Sequence, residues 1–167
     1  MGKVIWLYGL SSSGKTTLGD LLAKSINGKV QRLDGDIVRK SLTADLGFSV
    51  EDRFKNIKRI CFVADLLSKN DICIIASFIT PFRTYREHLR RILGHRLILV
   101  YVDCSLEKCI KRDTKGLYRK AINGQILNMT GISQKFEKEG YDMKIDTENL
   151  TREESLKMLL KKLEEYT

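Results

Sequence analysis

Five apolar, β-branched runs punctuate the chain, and between them apolar residues recur every three or four positions. The runs are KVIWLY (3–8), KVQRLD (29–34), DICIIASF (71–78), RLILVYVD (96–103) and YDMKIDT (141–147). Helical spacing occupies 15–26, 36–44, 50–69, 82–93, 105–113 and 151–165. Strands this apolar must be covered on both faces, so the alternation predicts an α/β fold: a five-stranded, mainly parallel sheet with helices on both faces. In the last helix Leu156, Leu159, Leu160 and Leu163 share one face, which is expected to close the core rather than lie on a membrane.

Residues 114–138, TKGLYRKAINGQILNMTGISQKFEK, break the alternation. They are basic, glycine-spaced and weakly periodic, and in a compact domain such a stretch reads best as a lid over a substrate. No repeat or proline-rich linker divides the chain, and its 167 residues fit a single domain, 1–167, with the lid at about 114–138.

The junction of the first run and first helix carries chemistry. Gly9, Gly14, Lys15 and Thr16 fit the phosphate-loop pattern G-x-x-x-x-G-K-[ST]. Glycines let the backbone turn its N–H groups onto phosphate oxygens, the lysine supplies a point charge, and the threonine hydroxyl suits Mg²⁺. The helix that follows points its positive end at the same anion. Strand, loop and helix in this order predict a phosphate-loop kinase fold, with Gly9, Ser11, Ser12, Ser13, Gly14, Lys15, Thr16 and Thr17 around the donor phosphates. The second strand ends in LDGDIVR, which puts Asp34 and Asp36 at the carboxyl edge of the sheet, where open α/β sheets place ligands. Such a pair can enter a metal shell or take a proton from an attacking hydroxyl; alternatively, Asp36 caps the next helix.

Charge and cysteine content narrow the partners. A formal charge of +9 asks for anions, yet the basic residues are spread through every helix without a nucleic-acid motif. A nucleotide with several phosphates is therefore the expected partner, and nucleic acid is not. Cys61, Cys73, Cys104 and Cys109 show no C-x-x-C spacing and read as buried hydrophobes in a reducing compartment. His88 and His95 do not complete a zinc site with them. No run approaches 18 uninterrupted apolar residues, and the first strand starts too early for a secretory leader, so a cytoplasmic protein without membrane association is expected.

Beyond the loop, LDGDIVRKSLTADLGFSVEDRFKNIKRI (33–60), SFITPFR (77–83), VYVDCSLEKCIKRDTKGLYRKA (100–121), TGIS (130–133) and IDT (145–147) together resemble the adenylylsulfate kinase family. These enzymes phosphorylate the ribose 3′-hydroxyl of adenosine 5′-phosphosulfate. The resemblance implies that Lys15 and Thr16 serve the donor, ATP or GTP, and Mg²⁺. Asp36 would organise the metal and act as general base, with Asp34 positioning that site. Arg39, Arg53 and Asn56 would hold the acceptor's 5′ anionic group, although helix arginines often form only surface salt bridges. Phe48 would stack on the base, Ile79, Thr80, Leu117 and Met129 would line the acceptor site, and Lys115 and Lys120 would sit in the lid above the phosphates. Thr80 has no base beside it in sequence, so direct transfer is expected, with Thr80 as a contact residue. Relatives are often dimers, which makes a homodimer an expectation.

The pattern departs from the family in places. Ser12 replaces a glycine, a change tolerable if its side chain points away from the phosphates; Met129 replaces an aromatic residue, Ile122 an arginine, and Lys135 and Phe136 a proline–tyrosine pair. The last three alter one wall and the lid of the base pocket. They leave open a cytidine acceptor, as in cytidine diphosphoramidate kinase, a relative that acts in capsular polysaccharide modification. A GTPase reading of SKND (68–71) is disfavoured, because Ser68 is the wrong residue and the tetrapeptide precedes a strand.

Overall fold

The computed structural model describes residues 1–166. It contains β1 (Val4–Tyr8), α1 (Lys15–Ser25), β2 (Val30–Asp34), α2 (Gly35–Val38), α3 (Val50–Lys69), β3 (Cys73–Phe78), α4 (Arg83–Leu93), β4 (Leu97–Asp103), α5 (Leu106–Arg112), α6 (Leu117–Ile122), β5 (Met143–Asp146) and α7 (Arg152–Leu163). The strands form one sheet in the order β2-β3-β1-β4-β5, and every pairing is parallel. The sheet is thus wholly rather than mainly parallel.

Alternation along the strands sorts the core into two layers. Val4, Trp6 and Tyr8 of β1 and Leu97, Leu99 and Tyr101 of β4 face one side, where Ile57, Ile60 and Ala64 of α3 and Tyr85, Leu89 and Leu93 of α4 cover them. Ile5, Leu7, Ile98, Val100 and Val102 face the other side and pack on Leu18 and Leu22 of α1 and Leu159 of α7. Trp6 is completely buried, and its indole N–H donates to the Thr80 hydroxyl at 2.9 Å. α7 begins in a reciprocal capping box between Thr151 and Glu154.

Two helical expectations need correction. The pattern over 36–44 yields helix only to Val38, and residues 39–45 form successive turns held by bonds such as Lys40 N–H to Ile37 O and Thr43 N–H to Val38 O. Of its four apolar side chains only Val38 is buried, while Ile37, Leu42 and Ala44 stay exposed, so no apolar face holds a longer helix. The lid segment, in turn, is not wholly irregular. It contains α6, whose Tyr118 is fully buried in a third apolar cluster with Leu10, Cys104, Cys109 and Met129. The tyrosine hydroxyl donates to the carbonyl of Ser11 at 2.9 Å, which fastens the lid's root to the phosphate loop.

Candidate active site

The carboxyl edge of the sheet gathers the phosphate loop after β1, Asp34 to Asp36 after β2 and Ile79 to Pro81 after β3 around one cleft of about 810 Å³. That volume suits a pair of nucleotides better than a single small acceptor. Within the loop Gly9 is obligatory, since a Cβ there would come to 2.6 Å from the carbonyl of Val102. Gly14 takes a left-handed conformation, φ 97°, to start α1 without a side-chain cap. The first N–H groups of α1 are thereby left open to an anion.

Lys15 is buried, and its ammonium donates to the carbonyl of Leu10 at 2.5 Å and to Ser13 Oγ at 3.4 Å. Burial lowers its pKa to about 8, and Lys115 adds to the effect, while Asp34 and Asp36 oppose it. Thr16 Oγ1 donates to Asp34 Oδ2 at 2.8 Å, and Asp34 Oδ1 accepts from the Asp36 amide at 3.1 Å. Asp34 is therefore the cap of α2, and Asp36 is not. The Asp36 carboxylate, largely exposed at the cleft, is left for other chemistry and is ion-paired with Lys115 of the lid.

Ser12 adopts a left-handed φ of 61°. Its Oγ lies 3.3 Å from Thr114 Oγ1 and accepts the Thr114 N–H at 3.3 Å, and its carbonyl accepts from Arg112 at 3.4 Å. The extra side chain is thus engaged by the base of the lid.

The other end of the cleft is cationic. Arg39 lies 4.2 Å and Arg53 5.3 Å from the centroid of the half-exposed Phe48 ring. Arg39 donates to the carbonyls of Leu46 and Gly47, and Arg53 to those of Phe48 and Asn128. Among the described residues neither guanidinium reaches a carboxylate within ion-pair distance, which sets aside the surface-salt-bridge alternative. Burial, and then Arg39, push the pKa of Arg53 down to about 10. The buried Oδ1 of Asn56 has no hydrogen-bond partner. Two carboxylate-free guanidiniums, an unsatisfied amide oxygen and an aromatic face compose a site for an anionic, aromatic ligand.

Not all sequence-predicted residues converge. Ser11, Ser12, Gly14, Lys15, Thr16, Thr17, Asp34, Asp36, Arg39, Phe48, Arg53, Asn56, Ile79, Thr80, Lys115 and Leu117 line the cleft. Gly9 and Ser13 shape the loop from behind it. Lys120 is exposed on α6 and outside the lining, and Met129, 4% exposed, is packed in the lid-root cluster. Met129 therefore supports the lid's root and does not line the cleft in this structure. Sequence reasoning missed Arg112, whose guanidinium donates to the carbonyl of Thr147 at 2.6 Å, and Leu150, Arg152 and Ser155, which line the cleft beside α1. Arg112 lies within the VYVDCSLEKCIKRDTKGLYRKA stretch, and the IDT segment was the nearest signal to the other three.

A phosphate loop at the edge of a parallel sheet, opening on a second, cationic pocket, defines a small-molecule kinase of the phosphate-loop class. The family model described as Adenylylsulphate kinase matches residues 1–146, and this chain belongs to that family. The adenylyl-sulfate kinase of Halothermothrix orenii is 48% identical over 168 residues, covering 98% of this chain and 90% of that protein. The probable adenylyl-sulfate kinase of Pseudomonas aeruginosa is 47% identical over 165 residues, covering 96% and 77%. Among solved structures, the APS kinase of Mycobacterium tuberculosis in complex with AMPPNP and APS matches with a TM-score of 0.93 at 32% identity over 98% of each chain. Among the described residues no helix is long and apolar enough to cross a membrane.

Proposed function

We propose that the enzyme transfers the γ-phosphoryl group of ATP, or GTP, to the ribose 3′-hydroxyl of adenosine 5′-phosphosulfate. One observation carries this reading: a single cleft is lined by the phosphate loop, by the Asp36 carboxylate and by the Arg39–Phe48–Arg53–Asn56 pocket. The pocket supplies a stacking face for a base and paired guanidinium donors for a 5′ anion.

Asp36 accepts the proton of the 3′-hydroxyl as its oxygen bonds to the γ-phosphorus, and the bond from that phosphorus to the β–γ bridging oxygen breaks, releasing the nucleoside diphosphate. For Asp36 to act, Lys115 must leave it, and the donor's phosphates offer that lysine a stronger partner. Lys15 and the amides at the start of α1 offset charge on the transferring group. The oxygen donors of Thr16 and Asp36 fit Mg²⁺, and the described residues contain no cluster of three or more His, Cys, Asp or Glu that could hold a metal. Mg²⁺ takes one or two protein oxygens together with substrate phosphates in sites of this kind. When bound, Mg²⁺ neutralises charge on the β- and γ-oxygens; Asp34 contributes by fixing the Thr16 hydroxyl.

Steady-state kinetics with adenosine 5′-phosphosulfate, CDP, cytidine diphosphoramidate, gluconate and shikimate as acceptors test the assignment. The expected result is the highest kcat/KM for adenosine 5′-phosphosulfate; preference for a cytidine acceptor or a sugar acid would overturn it.

A further inference from the structure

Arg86 of α4 is 1% exposed, and among the described residues no carboxylate lies within ion-pair distance of it. Its cation is satisfied by backbone carbonyls instead: Nη1 donates to Thr80 at 2.7 Å, Nη2 to Glu137 and Glu139, each at 2.8 Å, and Nε to Glu139 at 3.1 Å. The guanidinium also lies 4.5 Å from the centroid of the Tyr8 ring. These carbonyls belong to two separate segments. Thr80 sits in the loop after β3 that lines the cleft, whereas residues 136–140 carry the chain from the lid back to β5.

Further bonds join the same two segments to each other and the return segment to β1. The Glu137 amide donates to the carbonyl of Pro81 at 2.8 Å, and the Glu137 carboxylate accepts from the Arg83 amide at 2.6 Å. Tyr8 OH donates to the carbonyl of Lys138 at 2.6 Å. Thr80 itself is held in a left-handed conformation, φ 45°, which an L-residue keeps only when its surroundings over-determine it. Trp6 holds its hydroxyl and Arg86 its carbonyl. A flat fork with donors on three nitrogens reaches both segments at once; a lysine ammonium, with all its donors on one atom, cannot.

We infer that Arg86 is a positioning residue that locks the Ile79–Thr80 wall of the cleft to the lid's return segment, so that acceptor binding and lid placement are coupled. The inference rests on the reading above that this wall serves the acceptor. Arg86 does not line the cleft and acts through Thr80.

The test compares Arg86→Met, Arg86→Lys and Tyr8→Phe with the parent enzyme, using whichever acceptor the parent phosphorylates. Arg86→Met is expected to raise acceptor KM at least tenfold with donor KM unchanged within twofold, and Arg86→Lys to fall between it and the parent. Hydrogen exchange without ligands should quicken at 79–81 and 136–140 together in both Arg86 variants. In Tyr8→Phe it should quicken at 136–140 alone, with acceptor KM unmoved. If the Arg86 variants lose only melting temperature, or raise both KM values equally, the residue is merely structural and the inference fails. Should Arg86→Met not fold, Arg86→Lys is read by the same criteria. A parent enzyme inactive on adenosine 5′-phosphosulfate would overturn the substrate assignment alone, since the exchange measurement needs no acceptor.

Discussion

Lys15 is a buried ammonium awaiting an anion. Its pKa, lowered to about 8 by burial, means that donor binding above that pH must take up a proton, whereas below it the lysine is already charged. Calorimetry with a non-hydrolysable donor analogue should show constant affinity up to about pH 7.5 and then weakening by up to roughly tenfold per pH unit above pH 8, the limit for one linked proton. A flat profile from pH 7 to 9 would contradict this placement of the lysine. Asp36→Asn keeps the shape of the carboxylate but removes the base, so kcat should fall by roughly 10²- to 10⁴-fold, well beyond any rise in donor KM from the weakened Mg²⁺ contact. A variant that loses only donor affinity would remove Asp36 from proton transfer. At this scale sequence spacing was informative wherever a motif fixes a backbone shape, as at Gly9 and Gly14. It was silent on the division between Asp34 and Asp36, because capping and hydroxyl contacts depend on how α2 leaves β2.

Among the elements, the lid is the one whose character changed most between sequence and structure. Its composition marked it as irregular and basic, but the pattern could not show that Tyr118 and Met129 drive a small core of their own against Leu10, Cys104 and Cys109. Leu10 lies in a distant stretch of chain and Cys104 and Cys109 in the residues just before the lid, and the lid's own periodicity carries no information about any of them. The resemblance assigns Met129 to the acceptor site, and the structure adds that it is packed into the lid's root. Tyr118→Phe removes the hydroxyl bond to Ser11, and denaturant unfolding should show a loss of about 1 kcal/mol. Hydrogen exchange should accelerate across 117–130 and not in β4; equal acceleration in both would mean that the lid root is not a separate unit. The overextended reading of α2 has the converse cause: Ile37, Val38 and Leu42 look periodic, yet the fold offers a surface to Val38 alone.

For the whole molecule, the apolar runs fixed the sheet and its two covered faces, since strands this apolar leave no alternative to burial. Strand order was not legible, because parallel partners far apart in sequence carry no shared local mark. Part of the net charge of +9 gathers at one cleft, where Lys15, Arg39, Arg53, Arg112, Lys115 and Arg152 outnumber Asp34 and Asp36. Two polyanionic substrates meeting there are steered by that field, so kcat/KM should fall steeply between low salt and about 0.5 M, as screening shortens to a few ångströms. A salt-independent kcat/KM would show that the scattered surface charge, and not the cleft, dominates the balance.

The phosphate loop and the arginine pocket together serve a transfer to a ribose 3′-hydroxyl. Phosphorus NMR of the product formed from a nucleoside triphosphate and adenosine 5′-phosphosulfate reads this directly. The account predicts a new phosphomonoester on the 3′ carbon, with the 5′ phosphosulfate intact. A new diphosphate linkage, or only hydrolysis of the donor, would contradict it.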